Sequence, residues 1–188
     1  MKKIIEKDLL ESISLTQDTI KNKLGIIQDI AESFISCLKK GNKIILFGNG
    51  GSAADAQHIA AELVGRFEKN RGPLAAISLN TNTSCLTAIA NDFGYDNVFS
   101  KQIEALGKPG DIALGISTSG NSKNVLEAIK KAKHLGLITI GFSGKKSDDL
   151  SKICDLSFVA ESSRTCRIQE MHIKVGHIIC NLVELAIS

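Results

Sequence analysis

Three observations predict an α/β protein built on an open, five-stranded parallel sheet with helices on both faces. From residue 43 onward, short apolar runs alternate with stretches of helical periodicity, and the run comes first each time. Both prolines, Pro73 and Pro109, stand just ahead of such runs rather than inside them, as strand geometry requires. The length of 188 residues suits one domain and leaves no residues for a second. The expected organisation is therefore a single domain over 1–188, with a long N-terminal helical segment over 1–40 and an α/β core over 41–188.

In the first 40 residues the apolar positions Leu9, Ile13, Ile20, Leu24, Ile27, Ile30, Phe34 and Leu38 are mostly three, four or seven apart, which is a helical stripe. Two helices broken near Ser14–Thr16 and capping the domain explain it as well as a helix that packs on another subunit. After Gly41–Asn42 the period changes. The spacing predicts a strand over 43–47 and a helix over 52–66. A second strand over 74–79 is followed by helical stretches around 83–90 and 98–106. A third over 111–116 leads to a helix over 122–134, and a fourth over 137–142 to a short helix near 148–152. A fifth over 156–160 precedes a helix over 165–187. No internal repeat or low-complexity linker interrupts the series.

Composition narrows the classes of function. The chain is 43% hydrophobic and 23% charged, enough for a sizeable core and unlike a disordered chain. Aromatic residues make up 4% with no Trp, which counts against single-strand nucleic-acid binders that stack bases on rings. The net charge of +3 comes from 23 basic and 20 acidic residues without a long basic block, so no nucleic-acid partner is expected. The cysteines Cys37, Cys85, Cys154, Cys166 and Cys180 are odd in number and contain no C-x-x-C pair, arguing for a reducing cytoplasm over a disulfide framework. Glu6, Lys7, Asp8 and Glu11 interrupt any signal-peptide core, and no apolar run spans a bilayer, so no membrane association is expected.

In a parallel sheet of this kind ligands bind beyond the carboxyl ends of the strands. The first strand ends in Gly48-Asn49-Gly50-Gly51-Ser52, where glycines let backbone N–H groups approach a ligand at a helix N-terminus. With Ala53 the stretch formally matches a dinucleotide fingerprint. The second strand, however, ends in Leu79-Asn80-Thr81-Asn82 without the acidic residue that would hold a ribose, so no nucleotide cofactor is expected. The third strand ends in Ser117-Thr118-Ser119-Gly120-Asn121-Ser122. Capping and turn formation explain one or two of those hydroxyls, but four hydroxyls at a helix N-terminus suit a phosphate monoester. No Walker lysine follows.

His58 and Glu62 lie one turn apart on the helix after the glycine loop, with Arg66 near the same side. They suit a metal-ligand pair, a base with its partner, or a surface ion pair. Gln169 and His177 are polar positions in a mostly apolar last helix and need partners; a core histidine bonded to a carbonyl is the plain alternative. Asn91 and Asp92 read as an Asx turn near Gly94.

These loops, with Ala90-Asn91-Asp92-Phe93-Gly94-Tyr95 and Arg167-Ile168-Gln169-Glu170-Met171-His172-Ile173-Lys174, resemble the sugar isomerase (SIS) fold, a flavodoxin-like architecture, and within it the phosphoheptose isomerases. The resemblance covers essentially the whole chain and shows no departure at the motif positions. It implies conversion of sedoheptulose 7-phosphate to D-glycero-D-manno-heptose 7-phosphate for lipopolysaccharide or related surface glycans, by homotetramers that bind zinc, one per subunit. It also implies zinc ligands at His58, Glu62, Gln169 and His177. Sugar-phosphate contacts would come from Asn49, Gly50, Gly51, Ser52, Glu62, Arg66, Asn91, Asp92, Ser117, Thr118, Ser119, Ser122 and Gln169. An enediol route needs a carbon base and an oxygen acid, for which Glu62 and His177 are the candidates. Noncatalytic SIS scaffolds and phosphosugar sensors are the alternative. Gln169 and His177 are eight residues apart, about 12 Å along one helix and about 80° around it, so the active site is expected to be shared between subunits.

Overall fold

A computed structural model of the chain describes residues 1–145 and 149–187. The N-terminal segment forms α1 (Lys2–Asn22) and α2 (Leu24–Lys39), so the break falls at Lys23 and not near Ser14–Thr16. At the expected break the Thr16 hydroxyl is satisfied inside the helix instead, donating to the Ser12 carbonyl at 2.9 Å, and Thr19 one turn on does the same to the Leu15 carbonyl at 2.9 Å. Only Leu15 and Thr19 of α1 are buried, whereas α2 sinks Ile27, Ile30, Ala31, Phe34 and Cys37 into the core.

Five strands follow, β1 (Ile44–Gly48), β2 (Ala76–Ser78), β3 (Ile112–Ser117), β4 (Ile138–Gly144) and β5 (Leu156–Ala160), all parallel in the order β2-β1-β3-β4-β5. β2 is shorter than the expected run 74–79 because it is an edge strand pairing only with β1. The intervening helices are α3 (Gly51–Val64), α4 (Thr83–Phe93), α5 (Ser100–Leu106), α6 (Lys123–His134), α7 (Asp149–Ile153) and α8 (Thr165–Ile187). A 3₁₀ turn over Tyr95–Asn97 joins α4 to α5. Asp148, expected in the short seventh helix, lies outside the described residues.

Alternate side chains of the central strands feed two cores. Ile44, Leu46, Ile112, Leu114 and Ile116 pack with α2, α3 and α8, through residues such as Phe34, Ile59 and Val175. Ile45, Phe47 and Ala113 pack on the opposite side with Phe99, Ile103, Val125 and Ile129. Each of these fully buried large side chains stabilises the fold by about 1.5–3 kcal/mol relative to exposure. The topology reverses between β1 and β3, and this pair opens a crevice beyond its carboxyl ends. Gly48 and Ile116 are register partners, so the two loops singled out in the sequence leave the sheet side by side.

Candidate active site

Two helices begin at this crevice, and neither has a side-chain cap. α3 starts at Gly51 and α6 at Lys123, without a capping hydrogen bond from Gly50 or Ser122; the Ser52 and Ala53 N–H groups turn to the Asn49 and Gly50 carbonyls and that of Val125 to Ser122, which leaves the N–H groups of Gly51, Lys123 and Asn124 to a ligand. α4, whose start follows the edge strand, is capped: Asn82 accepts from the Cys85 N–H. Ser122 occupies the cap position of α6, yet its hydroxyl turns to Ser117 Oγ at 3.0 Å, and Ser119 Oγ lies 3.4 Å from the same atom. The hydroxyls therefore gather with one another, as an anion cradle requires and as capping does not explain. Ser117 and Ser52 are buried, Thr118 and Ser122 half-buried and Ser119 exposed.

Two glycines on the other wall are required by geometry. Gly50 has φ of +58°, a conformation other residues adopt only with strain. A Cβ at Gly51 would stand 2.3 Å from Gln169 Nε2, so the absent side chain is what admits the carboxamide of α8 to the loop. Asn49 crosses the crevice: its side-chain amide exchanges two hydrogen bonds with that of Asn124, at 2.8 and 2.9 Å, and accepts a third from the Tyr95 hydroxyl at 3.2 Å.

Along α3, away from the glycine loop, His58 Nε2 is 3.1 Å from Glu62 Oε1 and 3.4 Å from His177 Nε2. One ligand atom from each of the three side chains lies within 4.8 Å of the others. Atoms bound to one tetrahedral ion at about 2.0–2.1 Å stand about 3.3 Å apart, close to both separations, and two imidazoles with a carboxylate are ligands suited to zinc. The residues present thus fit a divalent transition-metal ion. All three come from a single chain. Gln169 lies against Gly51, about 10 Å back along α3 from His58 at 1.5 Å per residue.

Several supporting residues were not visible in the sequence. Asp55 sits on the same helix three residues before His58. Burial raises its carboxyl to about 6 against a smaller opposing pull from His58, and its Oδ2 is buried without a hydrogen-bond partner among the described residues. Glu184, buried on α8, accepts from the N–H groups of Phe67, Glu68 and Lys69 and pairs with Arg71 at 3.2 Å. Arg71 in turn donates to the carbonyls of Glu62, Leu63 and Gly72, closing the open end of α3. The loop held in this way lays the Phe67 ring 5.7 Å from that of His177. The core histidine bonded to a carbonyl is His172, not His177: its Nε2 lies 3.0 Å from the Ser143 oxygen, and burial lowers its pKa to about 4.

Other expected site residues lie outside these clusters in a single chain. Arg66 follows the end of α3 and is exposed. Asn91 and Asp92 form the last turn of α4 instead of an Asx turn, because the helix continues to Phe93 and is ended by Gly94 at φ +82°. Both are exposed, and Asn91 donates to Asp92 at 2.8 Å.

The SIS domain model matches residues 9–144. A phosphoheptose isomerase of Clostridium acetobutylicum is 50% identical over 98% of this chain and 95% of its own length. One of Aquifex aeolicus is 56% identical over 84% of this chain and 83% of its own. Among solved structures, the phosphoheptose isomerase of Neisseria gonorrhoeae superposes with a TM-score of 0.92 at 42% identity, covering 98% of both chains. That of Francisella tularensis gives 0.94 at 33% identity, with 97% of each covered. On this sequence and structural likeness the chain belongs to the SIS domain family, among its phosphoheptose isomerases.

Proposed function

We propose that this crevice converts the ketose sedoheptulose 7-phosphate to the aldose D-glycero-D-manno-heptose 7-phosphate, with Glu62 as base at carbon and His177 as acid and base at oxygen. The observation that carries the reading is the convergence within 4.8 Å of Glu62 and His58, on the helix that leaves the glycine loop, with His177 of α8. A ketose becomes an aldose by moving a proton between C1 and C2 through an enediol. Glu62 is half-buried, which keeps it accessible to a substrate carbon while holding its position on α3. His177, held against the Phe67 ring, exchanges protons with the substrate oxygens as the carbonyl moves from C2 to C1.

Phosphate is held by Ser117, Thr118, Ser119 and Ser122 and by the first amides of α6, where the helix dipole offsets its charge. Asn49, Gly50, Gly51 and Ser52 form the opposite wall, with Asn91, Asp92, Arg66 and Gln169 as further sugar contacts. His58, Glu62 and His177 of one chain, joined by Gln169 of a neighbouring subunit, would hold one zinc ion per subunit. Such an ion, when bound, polarises a carbonyl and stabilises developing negative charge.

The chain acts as a homo-oligomer, a tetramer with active sites at subunit interfaces. The apolar faces left open on one chain support this reading: Ile4, Ile5, Leu9, Leu10 and Ile13 of α1 are each more than half exposed, and α4 buries no side chain. Among the described residues no helix is long and apolar enough to cross a membrane. We place the enzyme in the cytoplasm, feeding heptose to lipopolysaccharide or a related surface glycan. The test is to incubate the pure protein with a panel of ketose phosphates and assay aldose product. Turnover should be greatest for the seven-carbon substrate, and absence of aldose from every ketose phosphate would overturn the proposal.

A further inference from the structure

We propose that Asn124 is a positioning residue for the isomerisation, acting through a reciprocal amide pair that fixes Asn49 and ties the glycine loop to the helix bearing the phosphate cradle. The proposal rests on the function argued above. Asn124 lies on the second residue of α6 and is only 3% exposed, so its amide cannot be satisfied by solvent. Its Oδ1 accepts from Asn49 Nδ2 at 2.8 Å, and its Nδ2 donates to Asn49 Oδ1 at 2.9 Å, across 75 residues of sequence.

The donor and acceptor inventory makes the consequence specific. A carboxamide has two acceptor sites and two N–H groups. Asn49 Oδ1 is filled by Asn124 Nδ2 and by the Tyr95 hydroxyl, and one N–H of its Nδ2 is committed to Asn124. One N–H of Asn49 is left, held in a fixed direction by three hydrogen bonds to two other segments. Any sugar oxygen that the Asn49 side chain contacts must accept that N–H. Asn124 thereby sets both the register of the two loops and the polarity of the contact, without touching the substrate itself.

Replacing Asn124 with Asp discriminates this role from simple packing, because the change keeps shape and volume. An ionised carboxylate still accepts from Asn49 Nδ2 but sets oxygen against Asn49 Oδ1. A protonated carboxyl donates there and restores the pair. Relative to wild type, kcat/KM of Asn124→Asp should be about 10- to 100-fold lower at pH 8, the range expected for an ångström-scale misplacement, and the ratio should close as pH falls. Tyr95, the titratable side chain hydrogen-bonded to the pair, is controlled by recording Tyr95→Phe over the same pH range. In an Asn49→Ala background the substitution at 124 should cost nothing further. If Asn124→Asp fails to fold, the reciprocal Asn49→Asp on the half-buried partner should show a ratio that narrows as pH falls without closing, because protonation restores the pair but not the N–H that Asn49 turns to the sugar. A ratio that stays constant with pH, or an undiminished cost in the Asn49→Ala background, overturns the proposal while wild type remains active. A wild type inactive on every ketose phosphate overturns the proposed function, and with it any role of Asn124 in this reaction.

Discussion

Adding one methyl group at Gly51 isolates the work of Gln169. The new Cβ would lie 2.3 Å from Nε2, 2.8 Å from Cδ and 3.1 Å from Oε1 of Gln169. Ordinary contact is about 3.5 Å, so the carboxamide must retreat by about 1.2 Å. The backbone is not the obstacle: Gly51 is the first residue of α3, its φ is not positive, and Ala is the better helix former by about 1 kcal/mol. Gly51→Ala should therefore melt no lower than wild type. A displacement of about an ångström in a group that contacts the reacting sugar is worth about 100-fold, or about 2.7 kcal/mol of transition-state stabilisation. The assay is kcat/KM for the seven-carbon ketose phosphate in four proteins: wild type, Gly51→Ala, Gln169→Ala and the double variant. If the methyl acts by moving Gln169, the double variant should be no worse than Gln169→Ala. Losses that multiply would refute the reasoning, showing that the methyl blocks approach of the sugar to the backbone. Wild-type activity in Gly51→Ala would refute it equally.

The remaining expectations concern the base, the phosphate cradle and the loop clamp. Glu62→Gln should fold and bind sugar phosphate but lose at least about 100-fold in rate, since general acid–base catalysis contributes about 10² to 10⁴; near-normal turnover in a coupled aldose assay rejects Glu62 as the base. Ser119→Ala should weaken phosphorylated ligands and leave dephosphorylated sugars unaffected, and calorimetry showing the same loss for both would remove the loop's role. Burial pushes the Glu184 carboxyl upward, but the three N–H donors and Arg71 more than offset this and hold it below the usual range. A depressed folded-state pKa contributes stability that is present above the unfolded value, about 4.3, and lost as pH falls through the folded value. Glu184→Gln, whose amide would turn N–H toward N–H in this loop, should therefore lower the melting temperature at pH 7 by several degrees, with the gap narrowing in acid. A gap of equal size at pH 3 and pH 7 would contradict it.

Local pattern carried much of the architecture. A run such as Ile44–Phe47 is apolar at every position because both faces of a central parallel strand are buried, and that burial is written directly into composition. The glycine and hydroxyl loops were legible because unusual backbone and clustered hydroxyls need particular residue types. Helix ends were less so. Ser14–Thr16 looked like a break because hydroxyls have two local partners, an N–H at a cap or a carbonyl four residues back, and the packing of Leu15 and Thr19 chose the second.

The sequence by itself determined the alternation of strands and helices, the two loops at their ends, and the i, i+4 pairing of His58 with Glu62, because each depends on neighbours along the chain. Spacing alone left open which histidine of α8 joins that pair, and the tertiary structure brings His177, the one the resemblance implied, to it. His172 and His177 are five residues apart on one helix, and the contacts of α8 with β4 on one side and α3 on the other send the first to the Ser143 carbonyl and the second to His58. It decided likewise that Asn124 answers Asn49, Gln169 fills the space at Gly51, and Glu184 gathers the N–H groups of residues 67–69. The contacts of Asn124, Gln169 and Glu184 each span 75 residues or more, and what brings the partners together is the order of strands in the sheet, which no local periodicity encodes.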